Sequence, residues 1–333
     1  RIPNLLRDLF AEGAMSASLI PTFTGVRMKE GDRRAWRVAG LVFRALFGIV
    51  AGLAIAGIIF APQLVSLYAS SFKTVPGKFE LTVSMTRTMF PFFPLVALAA
   101  AFMGILNACG RFFMPAFASA LFNVASVISG TTLAILFGVY PGWGYSPIQG
   151  MAIGVVVGGL VQAVCQLPQL RASGYRFPKR SDEDTVWHKE PALRKMLWMM
   201  IPGTVGLAAT QVNILVNTIL ATSQGTGAVS WLNYAFRLMQ FPIGIFGVSL
   251  AAATLPLVSR QWVEKDLGGI KDTVGKTLSH VFAINLPAAA GLAFLSGPII
   301  SLIFEYGRFK PSDTDATAMA LVCYSIGLAA YSA

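Results

Sequence analysis

The stretch IQGMAIGVVVGGLVQAVCQLPQL (148–170) decides the fold. Its apolar residues do not alternate, and the run is long enough for a helix to cross a bilayer, which takes about 20 residues at 1.5 Å each. A transmembrane barrel would instead need short alternating segments. Similar runs recur along all 333 residues, of which 55% are apolar and only 12% charged. A soluble domain carries about 25% charged residues. Mean hydropathy is +0.65. A soluble globular enzyme and a disordered chain are both excluded, and an all-α polytopic membrane protein is expected. The chain opens on Arg1 with no charged region and cleavage site around an apolar core, so it reads as starting inside a protein rather than at a signal peptide.

Polar breaks divide the chain into about nine helical segments: 1–22, 39–66, 81–108, 113–139, 148–170, 194–222, 226–258, 276–303 and 316–333. The net charge of +11 sorts along them. The first, third, fifth and seventh loops hold 17 Lys and Arg, and the other four hold only Lys73, Lys78, Arg308 and Lys310. By the positive-inside rule the odd loops are cytoplasmic, and residue 1 enters from the outer side. The basic balance therefore needs no nucleic acid. Cys109, Cys165 and Cys323 lack paired spacing, so neither a disulfide framework nor a zinc site is expected.

A duplication lies within the chain. RIPNLLRDLFAEGAMSASLIP (1–21) matches RLMQFPIGIFGVSLAAATLP (237–256), and PQLVSLYASSFK (62–73) matches PIISLIFEYGRFK (298–310). Arg1/Arg237, Pro21/Pro256, Pro62/Pro298 and Lys73/Lys310 are separated by 236, 235, 236 and 237 residues. Such register over two helices and a loop signals a real repeat. The offset spans six helices, an even number, so the copies run parallel as two pseudo-repeated six-helix lobes. The expected division is 1–172 for an N-terminal lobe lacking its first helix and the start of its second, 173–193 for a basic cytoplasmic loop, and 194–333 for the start of a C-terminal lobe.

Polar and small residues form stripes. Ser230, Asn233, Arg237, Gln240, Gly244, Gly247, Ala251 and Thr254 follow a 3-4-3-4-3-4-3 spacing that predicts one helix face. Gly203, Gly206, Thr210, Asn213 and Asn217 repeat the pattern, as do Asn4, Arg7, Ala11, Ala14 and Ser18. Tight helix packing accounts for the glycines and alanines, but not for the arginines. A guanidinium near mid-membrane costs at least about 2.5–3.5 kcal/mol and needs an acid or water. No Asp or Glu occurs in 191–263, so a water-filled central cavity awaiting an anion is the preferred reading of Arg237, with a distant structural pair as the alternative. Arg7 has Asp8 and Glu12 beside it and pairs with them in part. Arg44 and Arg87 lie close to segment ends, where snorkelling to the interface suffices. Gly150, Gly154 and Gly158 form a packing row.

Other signals lead nowhere. Asp182-Glu183-Asp184 has the D-x-D form of a metal-dependent glycosyltransferase, yet it sits among basic residues and reads as a solvated charge run. His188 and His280 have no acid and nucleophile at useful spacing, and no Walker-type phosphate loop occurs.

RIPNLLRDLFAEGAMSASLIP (1–21), GILNACGRFFMPAFA (104–118) and VSWLNYAFRLMQFPIGIFGVSLAAATLP (229–256) together resemble the MurJ/MviN family of lipid II flippases, and the resemblance covers essentially the whole chain. It implies two six-helix lobes in a V plus two further helices. It implies a multi-pass protein of the bacterial cytoplasmic membrane, acting as a monomer among membrane lipids. The implied activity is transfer of the undecaprenyl-pyrophosphate-linked peptidoglycan precursor from inner to outer leaflet. The runner-up readings are another lipid-linked oligosaccharide flippase or a cation-coupled multidrug exporter of the same superfamily. By resemblance, Arg7 and Arg237 match cavity arginines of the family's second and eighth helices, and Arg1 matches a position basic in some members. Asn4, Asn233 and Gln240 join them as substrate-binding residues, with Ser18, Thr210, Asn213, Asn217 and Ser230 lining the cavity. Phe236 and Gln240 stand where some members carry acids, and Asn217 where some relatives place an acidic sodium ligand. No cofactor is implied. The driving force is open between a sodium gradient, a proton gradient and the membrane potential.

Overall fold

The computed structural model describes residues 14–175, 190–224 and 227–332. Among them every regular element is helical. The helices are α1 (Ala14–Glu30), α2 (Asp32–Ile59), α3 (Ala61–Tyr68), α4 (Lys78–Met89), α5 (Phe92–Ala108), α6 (Phe113–Val139), α7 (Pro147–Val164), α8 (Leu167–Ala172), α9 (Pro191–Gln224), α10 (Ala228–Pro242), α11 (Val248–Val263), α12 (Leu267–Phe294), α13 (Ser296–Phe304) and α14 (Pro311–Ser332). Each of the eight predicted breaks contains a helix boundary, although the helices extend through most of 23–38 and 259–275. The segments 39–66, 81–108, 148–170 and 276–303 are each subdivided, at Phe60, at Phe90–Pro91, at Cys165–Gln166 and at Leu295. Pro91 explains the second break, because it has no N–H for the helical ladder. The chain forms two compact units, Arg1–Asn217 and Thr218–Ala333, and their boundary falls inside α9.

In the first unit α5 is the central element. Phe93, Ala97, Ala101, Ile105 and Leu106 are fully buried on it, against Leu19 and Phe23 of α1 and Val38, Val42 and Phe43 of α2. Aromatic edges lock one end of the unit: Tyr175 meets Phe43 at 5.5 Å and Trp36 at 5.8 Å, and Phe43 meets Phe102 at 4.8 Å. The α6–α7 hairpin is held by close approach, since lipid gives helices no hydrophobic incentive to associate. A Cβ on Gly150 would lie 2.6 Å from the Ala134 nitrogen, and one on Gly154 or Gly158 would collide with Gly130 or Ser126. Gln149 caps the start of α7 through Ser146 and donates to Ser84 Oγ of α4 at 2.8 Å.

In the second unit α14 takes the central role, burying Thr317, Leu321, Ser325 and Leu328. Ala235 of α10 and Ile300 of α13 complete its core with Leu321. The duplication is visible residue by residue. Val50/Asn285, Ala61/Ser296, Val65/Ile300, Thr86/Leu321 and Phe93/Leu328 are all buried, and each pair is separated by 235 residues. The kink residues correspond too, with Phe60 at φ −87°, ψ 12° and Leu295 at φ −101°, ψ 14°.

One expectation is corrected and another is extended. The stripe from Ser230 to Thr254 does not stay on one face, because a π turn at Ile243–Gly247 separates α10 from α11. Pro242 cannot donate to the Leu238 carbonyl, and the Val248 N–H bonds Ile243 O, five residues back. One inserted residue rotates everything beyond it by about 100°. Gly247 accordingly approaches Ser332, and Thr254 hydrogen-bonds Thr277 at 2.9 Å, so both pack instead of continuing the stripe. Arg87 does more than snorkel: its Nε donates to the Ile58 carbonyl at 3.2 Å, at the end of α2, where a cation complements the helix dipole. This contact is exposed, so Arg87→Ala should lower thermal stability by no more than about 1 kcal/mol. A loss of membrane insertion in this variant, read by immunoblot of the membrane fraction, would contradict that.

Candidate functional site

Helix α10 is amphipathic in a way that sets up a site. Its rear face is anchored by the buried Ala235 and Met239, and its flanks by Tyr234, which meets Phe304 at 4.7 Å and Phe309 at 5.9 Å, and Phe236, which meets Tyr324 at 5.8 Å. At its start the Trp231 indole donates to Asp313 Oδ1 at 2.9 Å, and the Lys310 N–H donates to Oδ2 at 2.9 Å. These two bonds fix where α10 begins relative to α14. No sequence signal identified this pair, although a Trp one turn into a helix and an Asp opening another are each a common end-of-helix pattern.

The Lys310 N–H, then the Trp231 indole, hold the Asp313 carboxyl below the ordinary aspartate value of 3.8. A depressed value means the contribution is complete above 3.8 and is lost as pH falls through the lower folded value. Trp231 emission should therefore be flat down to pH 4 or so and shift only below it, and Asp313→Asn should remove that acid transition. An acid transition unchanged in Asp313→Asn would assign it elsewhere.

The front face of α10 is polar and open. Ser230, Arg237 and Gln240 are exposed, and Asn233 is half-buried, its Nδ2 donating to the Val229 carbonyl at 2.7 Å. Arg237 lies nine residues beyond Ala228, about 14 Å along the axis. Among the described residues it forms no ion pair. Gly244, two turns further, has open space where a side chain would stand. On α9, Asn213 and Asn217 are exposed and bonded to each other, Nδ2 of Asn217 to Oδ1 of Asn213 at 2.8 Å. Ser18 is buried within the first unit, and its carbonyl accepts from Thr22 Oγ1 at 2.7 Å. Arg1, Asn4 and Arg7, the side chain of Thr210, and the Asp182–Asp184 run with His188 lie outside the described residues.

Chemically, this face offers donors and one fixed cation, with no carboxylate. An arginine fork with a neighbouring amide binds an oxyanion by charge-assisted, bidentate hydrogen bonds. It provides no acid–base pair. Among the described residues no three His, Cys, Asp or Glu cluster for a metal, and the three cysteines are free.

Six of the described helical stretches are long and apolar enough to cross a membrane. Together with the repeated units and a cationic polar face inside one span, they define the class: an α-helical, multi-pass membrane protein. The family model described as "Lipid II flippase MurJ" matches residues 1–333, and the chain belongs to that family. It is thus a multi-pass protein of the bacterial cytoplasmic membrane. The "Lipid II flippase MurJ" of Burkholderia cenocepacia is 33% identical over 98% of this chain and 62% of its own length. The "Probable lipid II flippase MurJ" of Bdellovibrio bacteriovorus is 35% identical over 98% of this chain and 61% of its own. The chain therefore spans a little over three-fifths of these relatives. Among solved structures, a lipid II flippase MurJ in an inward closed conformation shares the fold, with a TM-score of 0.77 at 24% identity over 99% of this chain and 65% of that one. An inward-facing multidrug resistance MATE family transporter of the MOP superfamily does so with a TM-score of 0.74 at 16% identity, over 99% of this chain and 74% of its own.

Proposed function

We propose that the protein carries the lipid-linked peptidoglycan precursor, lipid II, from the inner to the outer leaflet of the bacterial cytoplasmic membrane. The observation that carries this reading is Arg237, a mid-span guanidinium that is exposed and free of ion pairs among the described residues. A pyrophosphate suits it. Arg7 and Arg1 supply further charge, and Asn4, Asn233 and Gln240 bond the head group. Ser230, Thr210, Asn213 and Asn217 line the same water-filled path, whereas Ser18, expected there, is buried and takes no part; the proposed lobes are 1–172 and 194–333, joined by the loop 173–193. The prenyl tail stays in the bilayer while the lobes rock by alternating access. The protein acts as a monomer without a cofactor and without chemical conversion of its substrate. A sodium gradient, a proton gradient or the membrane potential drives it. A cation-coupled drug exporter would want acids along this face, and α10 has none.

The test is genetic. The full-length gene should restore growth to bacteria depleted of their own lipid II flippase. Failure despite confirmed membrane insertion would overturn the proposal. Replacing Asp182 and Asp184 with Asn should leave rescue nearly unchanged, whereas a glycosyltransferase would lose its activity.

A further inference from the structure

The basic loop between the two proposed lobes begins and ends on the same helix. On one side Tyr175 is buried against Trp36 and Phe43 of α2, and Gly174 adopts φ 106° directly beneath the Trp36 ring. On the other side Glu190 is 2% exposed, and Arg34 of α2 donates to both its oxygens, at 2.8 and 3.0 Å. The next turn follows it inward, with Leu193 and Met196 packed in the same core as Ala35 and Val38.

The pairing is electrostatically specific. Arg34 lies in the first turn of α2, where the helix dipole opposes a cation, and Glu30 and Glu190 offset that. Glu190 precedes α9 and its carbonyl accepts the Arg194 N–H, so its carboxylate sits where the dipole favours an anion. Removing Arg34 would leave the buried Glu190 charge without this counterpart, whereas removing Glu190 leaves Arg34 paired with Glu30 alone. Helix α9, which starts here, runs on to Asn213 and Asn217 and into the second compact unit at Thr218.

We infer that Arg34 and Glu190 are positioning residues for transport: the pair seats the start of α9 on the first unit, so that the covalent loop 176–189 is not what holds α9 in place. This rests on the flippase reading for its growth readout, and the test separates the two. In the full-length protein, Arg34→Glu and Glu190→Arg should each reduce rescue of flippase-depleted bacteria by about tenfold or more. The double swap should recover most of it at equal membrane abundance. Cutting a protease site inserted after Arg180 should leave rescue intact. Normal growth of both single variants, no recovery in the swap, or loss of rescue on cutting would each overturn the inference. If the wild-type protein itself fails to rescue, the flippase reading falls. The clamp is then judged on the purified proteins in detergent: lower melting temperatures for the single variants with recovery in the swap support it, and equal melting temperatures for all four overturn it.

Discussion

Arg237→Ala in the full-length protein is expected to abolish rescue of flippase-depleted bacteria while its membrane abundance stays unchanged. Hydrogen bonds to a charged group are worth about 1.5–3 kcal/mol, so losing the guanidinium costs about ten- to a hundredfold in affinity for a pyrophosphate head group. Abundance should hold because the side chain is exposed, and α10 is anchored from its opposite face by Ala235 and Met239. Arg237→Lys keeps the charge and loses the planar fork, so partial rescue is the expected result. A structural arginine would behave the other way round, with Ala lowering abundance and Lys restoring it. Normal growth with Arg237→Ala would remove this residue from the mechanism.

What could be read in advance followed from periodicity and charge. The helix breaks were legible because loops must carry the polar groups that lipid rejects, and the duplication because Pro and Arg recur in register. Arg237 was legible because an acid-free stretch of more than seventy residues leaves a guanidinium no local partner. The stripe beyond Pro242 leaves its expected face for a physical reason. A 3-4 spacing assumes 3.6 residues per turn throughout, and the π turn breaks that assumption where proline removes a donor. Arg34–Glu190 and Trp231–Asp313 were not legible at all. Each joins residues far apart in sequence, 156 positions for the first and 82 for the second, and only tertiary placement brings them together.

The glycine row of α7 carries the other large expected effect. A methyl group on Gly154 has nowhere to go: its nearest neighbours are backbone atoms of Gly130, with the Ser126 carbonyl at 2.8 Å. Backbone cannot swing aside as a side chain can, so the α6–α7 hairpin must open. Overpacking typically costs about 1–3 kcal/mol, and here one substitution disturbs contacts along two helices. Gly154→Ala should lower the melting temperature in detergent by several degrees, and Gly154→Val should deplete the protein from the membrane. Gly159 separates backbone from side-chain obstruction, since its added Cβ would meet the Phe92 ring at 2.7 Å and a ring can turn. Gly159→Ala should therefore be milder. Gly52 of α2 has nothing within 4 Å, and Gly52→Ala should be neutral or slightly stabilising, as alanine is the better helix former. The order Gly154, Gly159, Gly52 in declining severity follows from geometry alone. Equal melting temperatures for Gly154→Ala and Gly52→Ala would mean that the hairpin is held by something other than close backbone approach. The Gln149–Ser84 bond from α7 to α4 would then be the next contact to remove.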